Sequence, residues 1–141
     1  MRFLILALTF LIAPMAQAWE EPARGTQLRK DLMDAMRPHA TWAFGAPISF
    51  VVEDLRAAQD VGFASLLAIR PNGGELGFFD QRPELQLHEE PDFWDGPRFQ
   101  VLYQRSGKTW VAVHHSLAAT DAWWSDPAFC PIWHPVLPET C

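Results

Sequence analysis

The chain has 141 residues, with 11 Lys plus Arg against 17 Asp plus Glu, a formal charge of −6 and 49% hydrophobic residues. That size fits one domain able to bury a core. An acidic chain without a run of basic residues is repelled by phosphate backbones, which argues against nucleic acid as a partner.

Arg2, an apolar run over residues 3–13, Pro14 and then Ala16-Gln17-Ala18 follow the layout of a cleavable secretory signal: a charged lead, a short apolar core and small residues before the cut. Cleavage is expected after Ala18. The apolar run is roughly half the ~20 residues a membrane span needs, and no cysteine follows it. Residues 19–141 are therefore expected to form a soluble protein, periplasmic or secreted, with no membrane anchor after cleavage. Losing Arg2 and no acid moves the charge from −6 to −7.

Residues 19–25 read as an extended lead-in. Thr26 can cap a helix whose apolar positions Leu28, Leu32, Ala35 and Met36 recur at spacings of three and four. Pro38 disfavours helical geometry at Arg37, so the helix is expected to end or kink there, with another turn beginning before Gly45. From Ile48 to Ala57 the pattern alternates in β-branched and aromatic residues, which predicts a first strand. Gln59, Asp60 and Gly62 predict a turn, and the apolar residues 63–70 a second strand, closed by Pro71-Asn72-Gly73-Gly74.

Six acids from Asp80 to Asp95, with Pro83, Pro91 and Pro97, predict a long acidic surface loop over about residues 80–97. Loops of that length are often functional, which makes it a candidate partner surface. Residues 98–105 and 109–117 predict two further strands joined by Ser106-Gly107-Lys108. Strict alternation places Trp110, Ala112 and His114 on one face of the last strand and Val111, Val113 and His115 on the other. Trp123, Trp124, Phe129 and Trp133 follow without a period, as expected of a tail packed over the domain.

Cys130 and Cys141 are the two cysteines. In an oxidising compartment they are expected to pair and clasp the tail, residues 125–141, and their spacing matches no trusted zinc motif. The whole pattern is α+β: an N-terminal helix packed on a roughly four-stranded antiparallel sheet, a cystatin-like or related roll, with the other face of the sheet partly open.

Four segments carry a resemblance. They are Arg-Lys-Asp-Leu-Met-Asp-Ala-Met-Arg-Pro at 29–38, Pro-Ile-Ser-Phe-Val-Val-Glu-Asp-Leu-Arg at 47–56, Gly-Phe-Ala at 62–64, and Ser-Gly-Lys-Thr-Trp-Val-Ala-Val at 106–113 leading to Thr120-Asp121. Together they resemble a family of small exported proteins of Gram-negative bacteria with no assigned activity. The resemblance implies the same kind of domain in the same compartment, and it brings no catalytic residues with it.

Candidate chemistry is sparse. His114 and His115 could exchange protons or ligate a metal, but adjacent strand residues face opposite ways. A metal site would need His39, His88, His134 or a carboxylate to converge, so no metal and no cofactor is expected. Asp121 could touch a ligand, although Thr120 or Asp121 at that point is expected to cap a turn. His114, His115 and Asp121 are the candidate catalytic groups, and Trp94, Trp123 and Trp124 the candidate binding residues. With no catalytic spacing and many tryptophans, the expected role is a small periplasmic binding or interaction module for an envelope protein or a small ligand. The alternatives are a small enzyme or metal-dependent protein using a helix–sheet cleft, or an envelope stress or maintenance factor.

Overall fold

A computed structural model describes residues 19–141; the expected signal, residues 1–18, lies outside the described residues. Helix α1 (Gln27–Phe44) opens on Thr26, whose Oγ1 accepts from the Arg29 amide, satisfying one of the free donors at a helix start. It does not end at Arg37. Pro38 sits inside the helix and on its exposed side. The interruption, about 3 kcal/mol for an interior proline, is offset beyond it, where Ala40, Ala43 and Phe44 extend the stripe of Leu32 and Met36 into the core.

The four carbonyls at the end of α1 all find donors. The Gly45 amide donates to Thr41 O, Arg82 donates through Nε to Trp42 O and through its own amide to Ala43 O, and Arg70 Nη2 donates to Phe44 O. Two guanidiniums thus lie where the helix dipole favours positive charge, and they tie distant segments to the end of α1.

Strands β1 (Ser49–Ala58), β2 (Val61–Ile69), β3 (Arg98–Ser106) and β4 (Thr109–Leu117) form one antiparallel sheet in the order β1-β2-β3-β4. The N-terminal helix packed on four antiparallel strands is therefore present as the periodicity predicts. Within β1, Phe50 and Val52 pack toward the core while Val51 stays exposed. Two register shifts break the alternation, one at Glu53 in β1 and one at Val113 in β4. The second reverses the facing expected of β4. Val113 is the extra residue of a bulge, so His115 pairs with Val101 and joins the face of Trp110 and Ala112, while His114 pairs with Leu102 and faces the other way.

One face of the sheet is covered and the other is partly open, with Val51 and Val111 exposed on it. α1 covers one, burying Leu55, Ala64, Leu66, Phe99, Val101 and Tyr103 among its own apolar residues. The tail covers part of the other: Trp133, Val136 and Leu137 pack on Val61, Phe63 and Leu102, so that face is partly open as expected. Short turns Trp123–Ser125 and Pro127–Phe129 lead into helix α3 (Cys130–Trp133), and a Cys130–Cys141 disulfide closes the tail on itself. Trp133 Nε1 donates 2.8 Å to Tyr103 O, and Arg56 binds both Val136 O and the Glu139 carboxylate. Burial pushes the Tyr103 phenol well above its ordinary pKa, so it stays neutral.

The acidic excursion between β2 and β3 is not a featureless loop. Leu76, Phe78 and Gln81 are buried, Trp94 meets Phe78 edge to face at 6.0 Å, and helix α2 (Pro83–Gln86) is held between them. Its inner side is anchored to the domain, while Phe79, Leu87 and Phe93 are exposed.

Candidate functional site

The last turns of α1 run past the sheet beside the end of β4. Pro38, His39, Trp42 and Ala43 point into that space from the helix, Phe99, His115 and Leu117 from the sheet, and Leu85 and Glu89 from the anchored excursion. They enclose a cleft of about 450 Å³, within the range of small-ligand sites. Its position follows from the local contacts: Arg82 caps the end of α1 and stacks on Trp42 at 4.6 Å, which sets α2 and hence Leu85 against the helix.

Most of the lining is apolar or aromatic, and the ionisable groups are three. His39 and His115 meet with ring centroids 4.2 Å apart. Partial burial, then the nearby His39 and His114 rings, push His115 below its ordinary pKa, which favours the neutral imidazole. Glu89 Oε2 is buried and makes no hydrogen bond among the described residues. A buried oxygen without a partner is costly, and a ligand able to donate to it would recover that cost.

The sequence-predicted site residues do not come together. Of the candidate catalytic groups only His115 lines the cleft. His114 lies on the tail side, 5.1 Å from Phe129 and 5.5 Å from Trp133. Asp121 is exposed and caps nothing, contrary to expectation: the turn after it starts from Ala122 without a side-chain cap, and Asp126 caps the next turn through a 2.8 Å bond from the Ala128 amide.

Trp123 and Trp124 are half-buried in the second core, 5.6 Å from Phe129 and 5.6 Å from Phe63 respectively. Trp94 anchors the excursion from inside. The tryptophan that does face the cleft is Trp42, 51% exposed. Its signal in the sequence was the helical spacing of His39, Trp42 and Ala43, obscured by reading Pro38 as a helix end.

Among the described residues no group of three or more His, Cys, Asp or Glu side chains is arranged to hold a metal ion, and no helix is long and apolar enough to cross a membrane. Fold and cleft together define an α+β domain, with a helix over one face of the sheet, a tail over part of the other and a ligand-sized opening at one end. Comparison with known protein families, curated proteins and solved structures finds no match.

Proposed function

We propose that this chain is exported to the periplasm or beyond and that residues 19–141 act as a binding module whose site is the cleft between α1, β4 and α2. The observation that carries the reading is Glu89, whose buried Oε2 has no partner among the described residues, lining a cleft otherwise walled by Pro38, Trp42, Leu85, Phe99 and Leu117. Such a site suits a ligand with an apolar body and a donating, preferably cationic, head. The disulfide and the signal-like start support export, and the resemblance to small exported proteins agrees with it.

Calorimetric titration with n-octylammonium, n-octanol and n-octanoate tests the ligand class. The ammonium should bind best and the carboxylate worst, and Glu89→Gln should erase the preference between ammonium and alcohol. Leu85→Trp should block all three. Equal binding of the three probes, or binding untouched by either substitution, rules the cleft out. Export is tested separately, by mass spectrometry of envelope fractions: a chain beginning at Trp19 supports it, and an intact Met1 chain confined to the cytosol refutes it.

One observation favours the enzyme alternative, the shared cleft of His39, His115 and Glu89, since imidazole and carboxylate together can move protons. Turnover of an ester or phosphate substrate that is lost in His115→Gln would establish it.

A further inference from the structure

The chain is acidic overall, yet three of its arginines line a single groove on the side of the domain away from the cleft. Arg29, Met33 and Arg37 recur every four residues on α1, Arg24 precedes the helix, and Ser49 to Val52 of β1 form the opposite wall, enclosing about 480 Å³. In sequence these arginines are dispersed, which hides the cluster. The other arginines of the sheet are neutralised, Arg56 by Asp54 and Glu139, Arg98 by Glu53 and Asp95, and Arg105 by Asp60.

The groove arginines differ. Arg24 has no carboxylate partner among the described residues, Arg29 Nη1 donates 2.9 Å to Pro22 O, and Arg37 donates to Ile48 O with Asp34 3.6 Å from its Nε. Backbone carbonyls hold two of the guanidiniums in place and leave most of their five N–H donors free.

The wall of the groove is an edge strand. β1 is outermost in the sheet, and its outer side is taken at one point, where Glu20 and Ala57 exchange two 2.9 Å backbone bonds. The rest of that edge has no strand partner among the described residues, and Val51 is exposed. Arg37 is tied to Ile48 at the start of β1, and Arg29 to Pro22, two residues from the Glu20 that pairs near its end. The two arginines are therefore spaced along the strand.

Eight helical residues advance about 12 Å. Carboxylates at positions i and i+4 on one face of an extended chain lie about 13 Å apart. We propose that this groove binds an extended acidic peptide, which pairs with the free edge of β1 as a fifth strand and sets carboxylates four residues apart against Arg29 and Arg37, with Arg24 contributing a third contact. Strand addition supplies the backbone bonds and the arginines select the sequence. The site is independent of the cleft.

The test is fluorescence anisotropy at low ionic strength with a fluorescein-labelled peptide Thr-Glu-Val-Thr-Val-Glu-Thr, whose two Glu are four apart. Three comparisons follow: the same peptide with Gln for Glu, the same peptide N-methylated at alternate amides, and the variant Arg24→Ser, a position whose side chain makes no hydrogen bond or ion pair among the described residues. Each should weaken binding by about tenfold or more, as expected for losing charge-assisted or backbone hydrogen bonds. No binding of the parent peptide overturns the proposal. So does equal binding of the Gln peptide, of the N-methylated peptide, or by Arg24→Ser; the second of these would mean an anion site without strand pairing.

Discussion

His39 on α1 and His115 on β4 stand in ring contact, their planes inclined by 48°. The contact joins helix to sheet at the mouth of the cleft and makes the site sensitive to pH. The folded pKa of His115 lies below its ordinary 6.5, because burial and then the neighbouring His39 and His114 disfavour the charged ring. A folded state that binds fewer protons than the unfolded chain loses stability as pH falls. Stability should be fully present above about pH 6.5 and decline below it, to the folded value of His115. Urea melts across this range should show the decline, and His115→Gln should flatten it; an unchanged slope would contradict the assignment.

A second, lower acid step is expected from Glu53. Arg98 grips this carboxylate at 2.7 and 2.9 Å, joined by Ser65 Oγ at 2.9 Å, and holds it below its ordinary 4.5 against a modest opposing burial. Its contribution is present above that value and is lost as pH falls through the folded pKa. The pair bridges β1 and β3 across β2 but is partly exposed, so Glu53→Gln should cost about 1 kcal/mol at neutral pH. The loss should shrink in high salt. A cost unaffected by salt would point to packing at the bulge instead.

How much of this was readable in the sequence depends on the range of the interaction. The strands were legible because β-branched and aromatic residues alternate between strong turn signals, and the first turns of α1 because Leu28, Leu32 and Met36 keep helical spacing. The cysteine pair followed from compartment chemistry. What failed was decided by contacts across the fold. The continuation of α1 through Pro38 rests on Ala40, Ala43 and Phe44 meeting the sheet. The facing of His114 and His115 turned on the extra residue Val113, which no local pattern marks. The cleft needed Arg82 to bring Leu85 and Glu89 to the end of α1, a meeting of segments forty residues apart in the case of Arg82 and Trp42. The arginine groove was hidden for the same reason.

Trp133 should prove the most sensitive residue of the tail. Its indole is buried among Phe63, Leu102, Val136 and Leu137, and its N–H satisfies Tyr103 O beside the irregularity between β3 and β4. Trp133→Phe keeps most of the apolar surface and removes the indole's hydrogen bond to Tyr103 O, at a cost of about 0.5–1.5 kcal/mol. Trp133→Ala removes the ring as well and should cost about 3–5 kcal/mol. Chemical denaturation of the two variants checks the order. If Phe were as damaging as Ala, the hydrogen bond rather than the packing would dominate.

The disulfide should matter for the tail more than for the sheet. Cys130 and Cys141 are 11 positions apart, so the loop they close is short, and the loop-entropy model assigns about 2–3 kcal/mol to it. The tail has independent holds on the domain in Trp133, Val136, Leu137 and the Arg56 bonds, none of which involves sulfur. Cys130→Ser with Cys141→Ser should therefore lower stability by about that amount while leaving the far-ultraviolet circular dichroism of the folded state intact. Opening of the tail should become easier than opening of the sheet. Native-state hydrogen exchange should then show faster exchange at the Val136 and Leu137 amides, with the β2 and β3 amides still exchanging at the rate set by global unfolding. Faster exchange of both regions by the same factor would mean that tail and sheet open as one unit, and that the clasp stabilises the domain as a whole.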